Sequence, residues 1–203
     1  QGLNLNNNGQ TGFYAHFIKF NNVSGGGNQI NYNRVENIAG QAVNQHDILN
    51  VYKSSGLKGD SIQVIGNWIR GGQIELNSRG DNGAAGIVVG DLGGSYQVCR
   101  NNILVNPGYV GIQAQGGTHI KVDHNLIYSE QSPASLVGMA WGNYSGAPAS
   151  DIVYAYNKVK WFNLRNLEDD HNEHGDKAVI LISNTWGADI NASILPKVII
   201  TMK

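Results

Sequence analysis

Cysteine occurs once in 203 residues, at Cys99, which excludes an intrachain disulfide framework and a cysteine-rich zinc site. Charge is scarce as well. Asp, Glu, Lys and Arg make up 14% of the chain, where about 25% is usual for soluble domains. The formal net charge is -1, so nucleic acid finds no basic face. No apolar run approaches the roughly 18 residues that a membrane-spanning helix needs. Threonine occurs only at Thr11, Thr118, Thr185 and Thr201, too rarely for the regular column of an ice-binding solenoid. A phosphate-binding glycine loop, a Gly-x-Ser-x-Gly elbow and a Cys/His nucleophile pair are all missing. Hydrophobic residues still reach 41%, too many for a chain disordered throughout.

What is present in excess is glycine, with 27 copies, and asparagine, with 26. The asparagines are patterned. An aliphatic or Tyr residue, two variable residues, Asn, one variable residue and Val or Ile recur along the chain. The copies are Ile18-x-x-Asn21-x-Val23, Ile30-x-x-Asn33-x-Val35, Val64-x-x-Asn67-x-Ile69, Val98-x-x-Asn101-x-Ile103, Val122-x-x-Asn125-x-Ile127 and Tyr154-x-x-Asn157-x-Val159. Leu181-x-x-Asn184-x-Trp186 is a degenerate last copy. Asn21 and Asn33 are too close in sequence for a full coil, so one of them is expected off the series. A second motif alternates with the first: Gly86-Ile-Val-Val-Gly90, Gly111-Ile-Gln-Ala-Gln115 and Gly138-Met-Ala-Trp-Gly142, with Gly40-Gln-Ala-Val-Asn44 as a looser relative.

Short strands, tight Gly/Asn turns and a period in the twenties describe a β-solenoid. Equivalent strands of neighbouring coils pair in parallel about 4.8 Å apart, so inward Ile and Val stack on their own kind. Asn at a fixed turn position tolerates the left-handed conformation, and stacked Asn side chains form a hydrogen-bonded ladder. The expected fold is therefore all-β, a right-handed parallel β-helix of roughly 7–8 coils. It forms a single domain over 1–203, with inserted loops at 45–59, 71–85 and 163–178. The abrupt polar start, Gln1-Gly-Leu-Asn-Leu-Asn-Asn-Asn, suggests a piece or processed part of a longer protein.

Over about residues 15 to 196 the chain resembles bacterial right-handed parallel β-helix repeat proteins of the pectin-lyase-like superfamily. The stretches Gly59-Asp-Ser-Ile-Gln-Val-Ile-Gly-Asn-Trp-Ile-Arg-Gly-Gly72 and Gly93-Gly-Ser-Tyr-Gln-Val-Cys-Arg-Asn-Asn-Ile-Leu-Val-Asn106 carry the resemblance best. The tail from Asn184 to Pro196 is similar to the ending of some secreted members. The resemblance implies the fold and an extracellular or cell-surface location. It implies no catalytic residue, because the repeat encodes coils rather than chemistry.

Chemistry is expected in the two long departures from the repeat, 45–59 and 71–85, which flank one coil. They hold His46, Asp47, Lys53, Lys58, Glu75, Arg79 and Asp81, with Asp91 just beyond. Candidate catalytic residues are Asp47, Lys53, Glu75, Arg79 and Asp91, walling a groove that takes a polysaccharide. Carboxylates one coil apart approach the spacing of retaining glycosidases, and two coils apart that of inverting ones. A lyase would instead need a base beside a uronate carboxylate and a cation for the developing charge, with or without a calcium ion held by the Asp residues. Glu168-Asp-Asp-His-Asn-Glu-His174 reads as a solvated loop. The competing expectation is a non-catalytic structural or adhesive module that self-associates or continues into neighbouring coils.

Overall fold

Alternating apolar residues punctuated by Gly and Asn favour short strands between tight turns. The computed structural model of the protein describes residues 16–37, 46–72, 84–143, 146–173 and 179–200, and there the chain follows that rule. A first rung consists of β1 (Ile18–Asn21), β2 (Gln29–Asn31) and β3 (Arg34–Glu36). The second holds β4 (Leu49–Ser55), β5 (Ile62–Ile65) and β6 (Trp68–Arg70). The third holds β7 (Ala85–Arg100) and β8 (Ile103–Val105), and the fourth β9 (Val110–Ala114), β10 (Gly117–Asp123) and β11 (Leu126–Ser129). A fifth holds β12 (Val137–Trp141), β13 (Ala149–Ala155) and β14 (Lys158–Trp161), and a sixth β15 (His171–Glu173) and β16 (Val179–Ile182).

Each strand pairs in parallel with its counterpart in the next rung. β1, β4, β7, β9, β12 and β15 make one row, and β2, β5, β7, β10, β13 and β16 a second. The sixteen residues of β7 run through both rows, joining them into one strongly curled sheet of eleven strands. β3, β6, β8, β11 and β14 form a separate five-stranded sheet. The fold is thus all-β and parallel, and compatible with a β-solenoid. Among the described residues the rungs number six, where the repeats suggested seven or eight coils.

The core lies between the sheets and is built of columns. Ile30, Val64, Cys99, Val122 and Tyr154 stand in one register position, and all are buried. Ile69, Leu104, Ile127 and Val159 stand in another. The Gly motif has a packing reason. A Cβ on Gly86 would come within 2.6 Å of Leu104, and one on Gly111 within 2.8 Å of Ile127. These glycines bring the first row down onto the five-stranded sheet.

The asparagine ladder exists, with two corrections. Asn33, Asn67, Asn102, Asn125 and Asn157 each pass one amide N–H to the Oδ1 of the next, at 2.9 Å in every step, and the series ends at Asn184. The third-rung member is Asn102, not Asn101. The true copy is Cys99-x-x-Asn102-x-Leu104, because Cys99 pairs in register with Val64 and Val122. Asn21 is the residue off the series, since Ile18–Asn21 is β1 and pairs with β4. The left-handed residue is also not the ladder Asn but the one before it: Tyr32, Gly66, Asn101, His124, Tyr156 and Ser183 all have φ between 48° and 67°. Arg100 pairs with Asp123, and its Nε donates to both carboxylate oxygens at 2.9 Å.

Candidate functional site

The segment expected as an inserted loop at 45–59 supplies a strand. Leu49 and Val51 alternate inward into the core, so Leu49–Ser55 completes the first row as β4. The Gly signature that marks this row elsewhere is missing here, which hid the strand. Ile18 pairs with Leu49, which places His16 level with Asp47, each two residues before the pairing.

These two residues and their neighbours form a polar cluster. The Asp47 carboxylate is nearly sealed from solvent, at 4% exposure of its side chain. Its Oδ1 accepts from the Ala85 backbone N–H at 3.1 Å. Its Oδ2 accepts from the Asn50 amide at 2.6 Å and lies 3.0 Å from His46 Nδ1. His16 Nδ1 lies 3.9 Å from the same oxygen and 3.1 Å from the Asp47 carbonyl oxygen. The Asn50 amide also donates to Asp91 Oδ2 at 2.8 Å, so one NH2 group ties Asp47 to Asp91 across two rungs. The Asn50 Oδ1 is buried and has no hydrogen-bond partner among the described residues.

The two imidazoles differ electrostatically. Burial holds His16 below the usual histidine range against the opposing charge of Asp47. Burial also disfavours charge on His46, but the hydrogen bond and charge of Asp47 outweigh it and push His46 up. Asp91 is raised above the usual carboxylate range by burial, and further by Asp47, against the hydrogen bond from Asn50.

Next to Asp91 in register stands Tyr52. Lys19 Nζ sits 4.3 Å from its ring centroid and Lys53 Nζ 5.2 Å. Lys53 is exposed and left-handed, with φ 46°, where the pairing of β4 with β7 shifts register. A bulge of this kind re-aims side chains. Of the five candidates, Asp47 and Asp91 therefore meet at Asn50, and Lys53 lies beside Tyr52, the register partner of Asp91. Glu75 and Arg79 lie outside the described residues, as does Asp81.

Sequence reasoning missed His16, Lys19, Asn50 and Tyr52. His16 is 31 residues from Asp47 and belongs to no motif. Aligning the chain on the starts of its row-one strands is the signal that finds it. Calcium takes six to eight oxygen ligands. Around Asp47 the described donors include two imidazoles, which is a poor set for that ion.

Trp141 and Trp161 are buried core residues. His171 is exposed, and its ring stacks 4.3 Å from that of Trp186 and 5.8 Å from that of Trp141, centroid to centroid. Cys99 is a core residue whose thiol burial pushes far up. Among the described residues no helix is long and apolar enough to cross a membrane. No protein-family model matches this chain, and no curated protein or solved structure matches it.

Proposed function

We propose that the protein is an exported right-handed parallel β-helix of the pectin-lyase-like kind, and that the outer face of its first rungs binds an acidic polysaccharide. The observation that carries the reading is the Tyr52 ring with an ammonium group of Lys19 and of Lys53 against it, in register with Asp91. An aromatic face suits the C–H surface of a sugar, and flanking ammonium groups suit its carboxylates. Stacked rungs repeat every 4.8 Å or so, which matches an extended polymer better than a compact ligand.

In this reading Asp91 acts as the base. In an elimination it would take the proton beside a uronate carboxylate as the adjacent glycosidic C–O bond breaks, while Lys19 or Lys53 stabilises the developing negative charge. The leaving oxygen is protonated by solvent. Asp47 is too enclosed to reach a polymer, so its part is to hold Asn50, and through it Asp91, in place. The test is incubation of the purified protein with neutral, uronate-rich and sulfated polysaccharides, following binding, new reducing ends and unsaturated-uronate absorbance. Binding to a uronate-rich polymer is expected, weakened at least tenfold by Tyr52→Ala or Lys53→Ala, and any cleavage should vanish in Asp91→Ala. Silence across the whole panel from folded protein would sink the reading.

One observation favours a second reading, a building block of a filament or adhesin. Ile180, Leu181 and Ile182 of β16 are 39–50% exposed, and among the described residues β16 is paired on one side only. A further rung laid on that edge would cover them. Concentration-dependent assembly in sedimentation, without glycan binding, would select this reading over the first.

A further inference from the structure

We propose that His16, His46 and Asp47 form a binding site for a divalent transition-metal ion of the zinc class. The proposal is independent of the polysaccharide reading, because it rests on donor chemistry rather than on the Tyr52 face.

Three observations converge. First, an imidazole nitrogen from each histidine and one Asp47 carboxylate oxygen all lie within 4.8 Å of one another, the one such group of three among the described residues. Ligand atoms on a tetrahedral zinc ion sit roughly 3.3 Å apart, given bonds of about 2.0–2.1 Å. The separations of 3.0 Å for His46–Asp47 and 3.9 Å for His16–Asp47 bracket that value, and the two imidazole nitrogens, within 4.8 Å of each other, need to close by up to about 1.5 Å. Two imidazoles and one carboxylate, with remaining positions left to water, are a recurrent donor set for zinc and for ferrous iron.

Second, the site has the outer support that such ligands need. Bound carboxylates are characteristically held by further hydrogen bonds. Asp47 has them on both oxygens, from the Ala85 backbone and from Asn50, and Asn50 is anchored on its other side by Asp91.

Third, among the described residues the Asn50 Oδ1 is a buried acceptor with no donor, on the same amide whose nitrogen grips the Asp47 carboxylate. A buried acceptor left bare is costly, and native structures rarely keep one. Water on a bound metal ion would supply the missing O–H. An entry path also exists, since the His46 side chain is 31% exposed while those of His16 and Asp47 are at 10% and 4%.

The experiment starts from protein stripped with a chelator and exchanged into metal-free buffer. Zinc(II) and cobalt(II) are titrated separately by calorimetry, cobalt also by its visible absorption, and calcium serves as a third arm. One zinc or cobalt ion per chain is expected, with little calcium uptake. His16→Ala and His46→Ala should each weaken binding more than about 100-fold, and Asn50→Ala about 10–100-fold. His119→Ala and His124→Ala, which alter histidines elsewhere on the surface, should leave it unchanged. Circular dichroism on every variant separates lost ligands from lost fold. The proposal is overturned by folded protein that takes up neither zinc nor cobalt saturably. It is equally overturned by zinc uptake that survives the double His16→Ala, His46→Ala change, or by a calcium site indifferent to both histidines.

Discussion

Ladder asparagines and the residues just before them divide the work of one turn. The ladder Asn satisfies its whole amide: Asn125 donates to the Cys99 carbonyl and to Asn157, and its Oδ1 accepts from both the backbone and the side chain of Asn102. Asn125→Ala strands two donors of Asn102 in a buried position. At about 1–3 kcal/mol for each group left bare, the loss should reach about 3 kcal/mol or more in urea unfolding. Asn21→Ala, on an exposed position off the ladder, should cost about 0.5 kcal/mol or less. Equal losses would show that the ladder contributes nothing particular. The recurrence of Asn was legible in the sequence, but the Asn101-Asn102 doublet offered two registers. Apolar residues at Val98 and Ile103 supported the wrong one, and a cysteine standing in for an aliphatic residue disguised the right one. Of the site, Asp47, Lys53 and Asp91 stood out because charge is rare in this chain. His16, Asn50 and Tyr52 did not, because only the parallel register brings them alongside.

At the scale of an element, the glycines of the first row decide how close the sheets come. A methyl on Gly111 would be driven into the Gly138 carbonyl oxygen and within 2.8 Å of Ile127. Neither the strand backbone nor the core column behind it has room to yield. Overpacking of this kind costs about 1–3 kcal/mol, so Gly111→Ala should lower the unfolding free energy by that amount, read as a lower urea midpoint at an unchanged slope. An unchanged midpoint would mean that the sheets can part freely. Row-one strands carrying this glycine were readable from sequence. β4 was not, because it takes the same place in the sheet with Asn50 and Tyr52 on its outer side and no Gly ahead of them. Its polar outer face looked like a loop for the reason that makes it a candidate binding face.

Across the whole molecule, each rung contacts mainly its two neighbours, and stability in such an array is close to a sum of nearest-neighbour interfaces. Rungs covered on both sides should open least. Hydrogen exchange should therefore be slowest in β9, β10 and β11 and fastest in β16, whose Ile180, Leu181 and Ile182 are exposed. Uniform protection from first rung to last would contradict this and point to all-or-none opening. The ladder adds a property that its separate bonds do not have. Every amide in it faces the same way, nitrogen toward the higher-numbered rung and oxygen toward the lower. The ladder therefore has a sense, like an arrow. Its first-rung end presents an acceptor oxygen on Asn33, while the other end would have to offer a donor. Two copies that continued this row could join only tip to tail, a contact that repeats without closing and so grows fibres rather than symmetric pairs.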